Sequence, residues 1–404
     1  MDILKNYMST ILLLLGVLIG GICGLIFGES ASVVKPVGDV FLNLMFVLVV
    51  PIVFLSVSSA MYQMKHTNMV GKIMGKTVFW FVVMSVVSAV LTMCCVLIYN
   101  PMEGMESQAF EGMMVSVDES PSSWGEILVE TLTVPEFLDM FTKAHLLPLI
   151  IFSVIFGLAT AMCGEKGDAV ASFMNSAMQV VLKMMDLLMK VAPVCLGCYF
   201  AHTIGSMGAQ IAGGLMGSLV LYVIATLVLF FGVNSIYIGV VGGMDGLKTF
   251  WRHIITPSLT AVATCSSAAC IPVNITAAKA MGMRDTIAET VIPFGINMHK
   301  DGSVASAVIK IVFLMCVFGG QTDLWAQIVP IVFISVVTST VVGAIPNGGL
   351  TGELLICSIL GFNPSLAGTL LVIAALVDIP ATLLNSTNNV VAAVLVDKTT
   401  RRIS

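Results

Sequence analysis

The chain has 404 residues, of which 58% are hydrophobic and only 10% are charged, and its formal net charge is −5. Soluble domains carry about 25% charged residues, so this composition excludes an ordinary soluble protein and predicts an integral membrane protein. The sequence shows no basic stripe and no zinc-binding pattern, which argues against a nucleic-acid partner. Its ten cysteines lie mostly in apolar runs and are interpreted as small buried residues, not as a disulfide framework.

The first half of the chain alternates polar segments with apolar runs, most of them long enough to cross a bilayer, which takes about 20 residues. Basic residues cluster at 65–76, whereas segment 101–124 is acidic and contains neither Lys nor Arg. The positive-inside rule places the former in the cytoplasm and the latter outside, so the N-terminus is predicted to be cytoplasmic. Segment 126–140 is amphipathic, and both a membrane span and an interfacial helix remain open for it. The predicted spans and long helices are 8–27, 37–62, 78–99, 146–163, 169–199 and 213–241, followed by a cytoplasmic loop with Lys248, Arg252 and His253.

The pattern changes in the second half of the chain. Segment 255–280 is too short and too rich in Ser, Thr, Ala and Pro for two spans, and Lys279 returns its end to the cytoplasm. It predicts a re-entrant hairpin, which a membrane tolerates only where protein covers it. Segment 325–360 repeats this signature from the outside, and spans at 289–317 and 367–395 follow the two hairpins. Two hairpins that enter from opposite sides predict an inverted repeat, with ordinary kinked helices as the alternative.

Two polar stretches interrupt these apolar surroundings. The first, at 291–303, reads V-I-P-F-G-I-N-M-H-K-D-G-S, and the second, at 374–389, reads A-A-L-V-D-I-P-A-T-L-L-N-S-T-N-N. Each charge near the centre of a bilayer costs about 3 kcal/mol even on the mildest scale, so the first stretch predicts a broken span. In the second, polar residues recur at i, i+4, i+7 and i+11 from Asp378, which is one face of a helix. A broken segment that faces a polar helix stripe is typical of a transporter substrate site.

These motifs resemble the glutamate transporter homologue family, the dicarboxylate/amino acid:cation symporters, over nearly the whole chain. The first hairpin carries a serine-rich tip and a Pro-Val, here S-S-A-A-C-I-P-V from Ser266. The seventh span carries P-x-G followed by N-M-D-G-T, for which this chain has P-F-G-I-N-M-H-K-D-G-S at 293–303. The eighth span carries an Asp, a Thr and an Asn, here Asp378, Thr382 and Asn385. Within the family, S-S-A-A-x-I-P-V-N and L-N-S-T are most similar to the serine/threonine symporters.

The resemblance implies an all-α polytopic membrane protein with eight transmembrane helices plus two re-entrant helical hairpins in an inverted-repeat architecture. It also implies a homotrimer in the lipid bilayer of the cell inner membrane, with both termini cytoplasmic. Residues 1–67 (spans 1 and 2) and 100–205 (spans 4 and 5) would form the scaffold. Residues 68–99 (span 3) and 206–404 (span 6, hairpin 1, span 7, hairpin 2 and span 8) would form a transport domain that slides across it.

The resemblance also assigns a substrate site. Asp378 would bind the substrate ammonium, Asn385 and the serine-rich tip its carboxylate, and Thr382 its variable end. Ala381 and Cys265 stand where members with acidic substrates place an arginine, so we expect a small neutral amino acid such as serine, threonine or alanine. A sodium-coupled dicarboxylate or acidic amino acid symporter is the alternative. The predicted substrate-binding residues, including an external gate at the second hairpin tip, are Ser266, Ser267, Ile345, Pro346, Gly348, Asp378, Ala381, Thr382 and Asn385.

The cation site departs from the family. Gapless alignment places His299 and Lys300 on the Asn and Met of N-M-D-G-T, although the two residues can also be aligned as an insertion. Phe81 and Met84 replace a Tyr and a Thr, and they supply no oxygen ligand for sodium. We expect Lys300 to pair with Asp301 as a built-in cation that reduces sodium coupling. Proton coupling and ordinary sodium symport are the alternatives. The predicted cation-binding residues, or residues that replace a cation, are Ser85, Asn297, His299, Lys300, Asp301, Ser339 and Asn389.

The sequence predicts a transporter and not an enzyme, with no cofactor, and with sodium or a proton as the coupling ion. A channel-like anion conduit is a further alternative, which would show conductance without substrate. A membrane enzyme would use Cys265 or Ser266 as a nucleophile and His299 as its base. No nucleophile-elbow motif supports that chemistry.

Overall fold

The computed structural model describes residues 2–64, 71–102, 133–142, 145–207, 209–318, 323–343, 349–363 and 366–401. The structure is 88% helical, and no strand occurs in these ranges. The predicted all-α class is therefore confirmed. Most of the acidic segment 101–124, part of the basic segment 65–76 and the tip of the second hairpin lie outside the described residues.

The chain forms fourteen α-helices within the described ranges, with 3-10 turns at Gly28–Val34 and Asp139–Phe141 and a π-helical turn at Val228–Val233. In chain order the helices are α1 (Asp2–Phe27), α2 (Lys35–Met64), α3 (Gly71–Ile98), α4 (Leu146–Met162), α5 (Glu165–Met189), α6 (Ala192–Met207), α7 (Ala209–Leu227), α8 (Asn234–Thr264), α9 (Ile271–Ala280), α10 (Asp285–Met298), α11 (Asp301–Phe318), α12 (Ile328–Gly343), α13 (Gly349–Ile359) and α14 (Ala367–Arg401).

Several helical segments are long and apolar enough to cross a membrane. In the part of the chain that the structure describes there are five, Leu15–Ser59, Ile73–Ile98, Gly213–Thr264, Asp285–Phe318 and Ala367–Thr400. Large apolar side chains lie exposed along many of the helices, as expected for surfaces that face lipid. The chain is therefore a multi-pass membrane protein. The number of eight spans remains a prediction.

The predicted long helix at 169–199 is divided in two. Helix α5 ends at Met189 and α6 begins at Ala192, with Pro193 in the first turn of α6. Proline lacks an N–H donor and clashes with the preceding turn, so it is tolerated at the start of a helix and not within one. Our prediction of a single helix was wrong because it gave too little weight to this proline.

The predicted loop around Lys248 and Arg252 is also wrong, because both residues lie within α8, and their cytoplasmic location stays a prediction. Only Gly243 leaves helical geometry there, with a φ of 62° that glycine adopts without strain. Helix α8 then packs against α9 around a turn that begins at Cys265, whose φ is 48°. The two helices therefore form a helix–turn–helix unit, and the re-entrant course predicted for 255–280 stays a prediction.

The helices pack into two groups. Helix α1 packs against α6, and α2 packs against α4, α5 and α6. In the other group, α11 packs against α3, α12 and α14, and α14 also contacts α8, α10 and α13. A β-carbon placed on Gly20 of α1 would lie 2.1 Å from the Gly197 carbonyl oxygen of α6, so these two helices touch backbone to backbone.

The predicted broken span is present. Helix α10 ends at Met298 and α11 begins at Asp301, which leaves His299 and Lys300 outside regular helix. Almost every residue of α11 is buried, so this break lies in the interior of the second helix group. Irregular backbone at such a position is tolerated because protein surrounds it.

Candidate functional site

The break between α10 and α11 brings a buried carboxylate, Asp301, against three other helices. Ser85 of α3 donates a hydrogen bond from Oγ to Asp301 Oδ1 at 3.2 Å. Asn388 of α14 donates from Nδ2 to Asp301 Oδ2 at 2.6 Å, and its own Oδ1 accepts from Nδ2 of Asn234 on α8 at 2.9 Å. Both carboxylate oxygens therefore accept hydrogen bonds. These bonds link the break directly to α3 and α14 and, through Asn388, to α8.

His299 fills the space beside this carboxylate and is itself fully enclosed. Its Nδ1 lies 3.1 Å from Oδ1 of Asn389 on α14, and its Nε2 lies 3.0 Å from Asp301 Oδ1. The second contact has the distance of an ion pair but not the alignment of a hydrogen bond. The ring of Phe81 on α3 stacks on the imidazole, with centroids 4.5 Å apart and an interplanar angle of 4°. Apolar and aromatic groups thus cover the face of His299 that looks towards α3.

The expected ion pair between Lys300 and Asp301 is not formed, because His299 takes that position. The backbone of His299 is extended, with φ −133° and ψ 108°. Consecutive side chains of an extended chain point to opposite sides, so His299 and Lys300 cannot both face Asp301. Lys300 is half-buried and instead interacts electrostatically with Asp378, without a direct ion pair.

Asp378 is the exposed member of the polar stripe on α14. Val377 and Ala381 beside it are buried, whereas Ile379 and Pro380 are partly exposed. One turn further along, Thr382 is buried with 5% of its surface exposed. A β-carbon on Gly302 would lie 2.4 Å from the Ala381 carbonyl oxygen, which shows how closely α11 approaches this turn.

Asn385 and Asn389, which are buried members of the same stripe, contact residues at the helix break. Asn385 Oδ1 accepts a hydrogen bond from the Ser303 backbone N–H at 3.2 Å, and its Nδ2 donates to Ser303 Oγ at 3.2 Å. Asn389 Nδ2 donates to the Asn385 carbonyl oxygen at 2.7 Å. The predicted stripe therefore exists, but its two ends face different surroundings.

The serine-rich turn of the first hairpin is half-buried. The Ser266 hydroxyl accepts a hydrogen bond from the Ala269 backbone N–H at 3.3 Å, and Ser267 lies beside it. Below the turn, Asn274 of α9 donates from Nδ2 to Ser386 Oγ at 3.0 Å, which attaches the hairpin to α14. Among the described residues, no hydrogen bond joins either serine of this turn to the Asp378 carboxylate.

The structure places only one of the remaining predicted residues, Ser339. Ile345, Pro346 and Gly348, the expected external gate, lie outside the described residues, as does the side chain of Asn297. Ser339 is buried on α12, with 3% of its surface exposed. Their assignment to the substrate and cation sites stays a prediction.

Sequence reasoning missed Asn388, Asn234 and Ser303, which complete the contacts around the break. Asn388 carried a signal, since it follows Asn385 by three residues and so lies on the same helix face. Asn234 and Ser303 gave a weaker signal in the sequence, because a single polar residue in an apolar run often makes its hydrogen bond within its own helix.

A buried ion pair between Lys310 of α11 and Glu353 of α13 was also missed. The Lys310 ammonium donates a hydrogen bond to Glu353 Oε1, and both side chains are buried. Each is a lone charge in an apolar run, which is itself an indication of function in a membrane protein. The pair joins α13 to α11.

Comparison with known proteins agrees with the resemblance at the family level. Residues 10–399 match the model of the sodium:dicarboxylate symporter family. The chain is 28% identical over 351 residues to a C4-dicarboxylate transport protein of Bacillus subtilis (strain 168), covering 86% of this chain and 82% of the relative. It is 27% identical over 396 residues to a proton/sodium-glutamate symport protein of Geobacillus stearothermophilus, covering 95% and 92%. A C4-dicarboxylate transport protein of Rhizobium leguminosarum is 25% identical over 342 residues, covering 83% and 76%.

Proposed function

We propose, because the chain belongs to the sodium:dicarboxylate symporter family, that it is a secondary active transporter of small neutral amino acids such as serine, threonine and alanine. The observation that carries this proposal is Asp378, the exposed carboxylate of the polar stripe on α14, with Val377 and Ala381 buried beside it. A carboxylate beside buried apolar groups pairs well with an ammonium group. Thr382, one turn away, would contact the substrate side chain.

The absence of arginine from the site supports a neutral substrate. The arginines of the chain are Arg252, Arg284, Arg401 and Arg402. Arg284 donates from Nε to Asp397 at 2.6 Å, towards the end of α14 that is remote from Asp378. A bidentate arginine is the usual partner for a second substrate carboxylate, and neither Ala381 nor Cys265 can replace it. The substrate α-carboxylate would bind backbone N–H groups of the serine-rich turn.

A dicarboxylate or acidic amino acid is the second candidate substrate, and one structural observation favours it. Lys300 is half-buried beside the break, and its ammonium forms no ion pair among the described residues, so it remains available to a ligand. An ammonium at this position could hold a substrate carboxylate as a point charge, without the geometry of an arginine. The relatives named above transport glutamate or C4-dicarboxylates, which is consistent with this candidate.

The proposal extends to the architecture. The two helix groups support a scaffold of residues 1–67 and 100–205, and a transport domain of residues 68–99 and 206–404 that slides across it. We propose eight spans with two hairpins, a homotrimer in the cell inner membrane, and cytoplasmic termini. Sodium or a proton would be the coupling ion, as in the family.

Uptake into proteoliposomes tests this function. With labelled serine, aspartate and succinate, we expect serine uptake driven by a cation gradient and aspartate uptake at least about tenfold weaker, since a buried unpaired carboxylate costs several kcal/mol. In the Lys300→Met variant, serine uptake should persist. Aspartate or succinate uptake that exceeds serine uptake and is lost in Lys300→Met would establish the second candidate. Ion conductance without substrate would contradict both.

A further inference from the structure

The residues around Asp301, at the break between α10 and α11, do not form a suitable site for a sodium ion. We propose that the His299 imidazolium is a tethered cation at this carboxylate, in the place where the family resemblance puts sodium, so that sodium does not bind there. Only the consequence for ion coupling rests on the proposed symport function; the contacts that place a cation at Asp301 do not depend on it. It also transfers to His299 the role that the sequence assigned to Lys300.

The proton on Nδ1 of His299 follows from the neighbouring asparagine. Asn389 donates from Nδ2 to the Asn385 carbonyl oxygen at 2.7 Å, which fixes the orientation of its amide group. The atom that faces His299 Nδ1 at 3.1 Å is therefore Asn389 Oδ1, which can only accept a hydrogen bond. His299 Nδ1 must carry a proton to make this bond.

The second ring nitrogen must also be protonated. His299 Nε2 lies 3.0 Å from Asp301 Oδ1. In a neutral ring with its proton on Nδ1, Nε2 would present a lone pair to a carboxylate oxygen, which is repulsive. An imidazolium instead makes a buried ion pair, for which close distance matters more than alignment. If the Nε2 proton moved onto Asp301, the net charge of His299 and Asp301 together would not change.

The oxygen atoms that a sodium ion would need are already occupied. Asp301 accepts hydrogen bonds from Ser85 and from Asn388, and Asn389 Oδ1 accepts one from His299. Hard cations in proteins take several oxygen ligands, and here the Ser85, Asn388 and His299 groups already lie against these oxygen atoms where an ion would have to fit.

The two α3 side chains beside His299 supply no oxygen ligand. The Phe81 ring covers one face of His299, and Met84 is fully buried on the same helix. Thioether and aromatic groups are poor partners for sodium, whereas an aromatic face stabilises an imidazolium by a cation–π contact. The site is therefore built for a cation that belongs to the protein.

Thermal unfolding of the purified protein without substrate tests the inference. The melting temperature is compared between sodium chloride and choline chloride at equal ionic strength. Replacement of His299 by Asn removes the charge and adds an amide oxygen, so His299→Asn should gain a stabilisation by sodium of several degrees beyond the wild type. Lys300→Met, the matched control at the next residue, should respond to sodium like the wild type.

Asp301→Asn decides whether any sodium response of the wild type involves this site. We expect that variant to keep the wild-type response, and a response lost in Asp301→Asn would overturn the inference. A His299→Asn variant that responds to sodium like the wild type would also overturn the inference.

If His299→Asn does not fold in either salt, the double variant with Asp301→Asn should fold, because neither charge remains. A double variant that is no more stable than His299→Asn would overturn the inference and leave His299 with a packing role only. No substrate is present, so failure of the neutral amino acid proposal in the uptake assay would leave this result intact.

Discussion

Asparagine side chains along α14 divide the polar stripe into two functions. Three of its asparagines make side-chain contacts with residues at or next to the break between α10 and α11, namely Asn385, Asn388 and Asn389. Asp378 lies nearer the start of the helix and keeps its carboxylate exposed. Because the asparagines are satisfied within the protein, Asp378 is the stripe residue best placed to exchange water for a substrate.

Removing the charge of Asp378 should therefore affect binding and not folding. In Asp378→Asn, which keeps the size of the side chain, we expect substrate binding to weaken by about 2 kcal/mol, or about 30-fold in affinity. Titration calorimetry on the purified protein measures the affinity, and the melting temperature reports the fold. Asp186→Asn, on the exposed pair of α5, is the matched control and should leave the affinity unchanged. Unchanged affinity in Asp378→Asn would show that the substrate site lies elsewhere.

At the level of elements, the pair of Lys310 and Glu353 joins α11 to α13. Both residues are buried, so neither charge can be satisfied by water if the other is removed. A buried pair adds little net stability against apolar residues of similar size, but loss of one partner leaves an uncompensated charge. The attachment of α13 to α11 therefore depends on both residues.

Glu353→Gln should destabilise the protein by about 3–5 kcal/mol, because Lys310 would remain buried beside a neutral amide. A large fall in melting temperature is the expected observation. Glu289→Gln is the matched control, since Glu289 accepts a hydrogen bond from Lys279 at 2.5 Å with 58% of its side chain exposed. That substitution should change the melting temperature little, because solvent screens exposed pairs.

The double variant Lys310→Met with Glu353→Leu separates charge from packing. We expect it to recover most of the stability that Glu353→Gln loses, since no unpaired charge remains. A double variant as unstable as Glu353→Gln would show that the shape of these side chains, and not their charge, holds α13 in place.

For the whole molecule, the proposed sliding of one helix group along the other makes their contacts temporary. The start of α14 touches the first group, where a β-carbon on Gly368 would lie 2.6 Å from Leu42 of α2. Such close contacts between domains must separate during transport if the transport domain moves as a body.

A cross-link between these positions should arrest transport. In Leu42→Cys with Gly368→Cys, we expect oxidation to abolish proteoliposome uptake and a reducing agent to restore it, while substrate binding from one side persists. The Leu42→Cys single variant carries the same native cysteines and should keep its uptake under oxidation. Uptake by the reduced double variant shows that the Gly368 substitution, whose β-carbon would lie 2.7 Å from the Tyr199 ring, is tolerated. Full uptake by the cross-linked pair would contradict a sliding transport domain.

The sequence alone determined the membrane class, the approximate position of most helices, the broken span and the polar face of α14. These features depend on composition and on local periodicity, which a chain carries in each of its segments. The turn at Cys265 and the break at His299 were likewise visible as polar residues in apolar runs. The errors at 169–199 and around Lys248 arose at helix boundaries, where one proline or one glycine decides the course of the chain.

Only the tertiary structure decided which side chains meet. The sequence could not show that His299, and not Lys300, faces Asp301, because this follows from one extended residue and from the space that Phe81 leaves. The pairing of Lys310 with Glu353 likewise depends on two segments brought together by folding. Contacts between residues distant along the chain are set by packing, so periodicity finds the polar residues but only the fold assigns their partners.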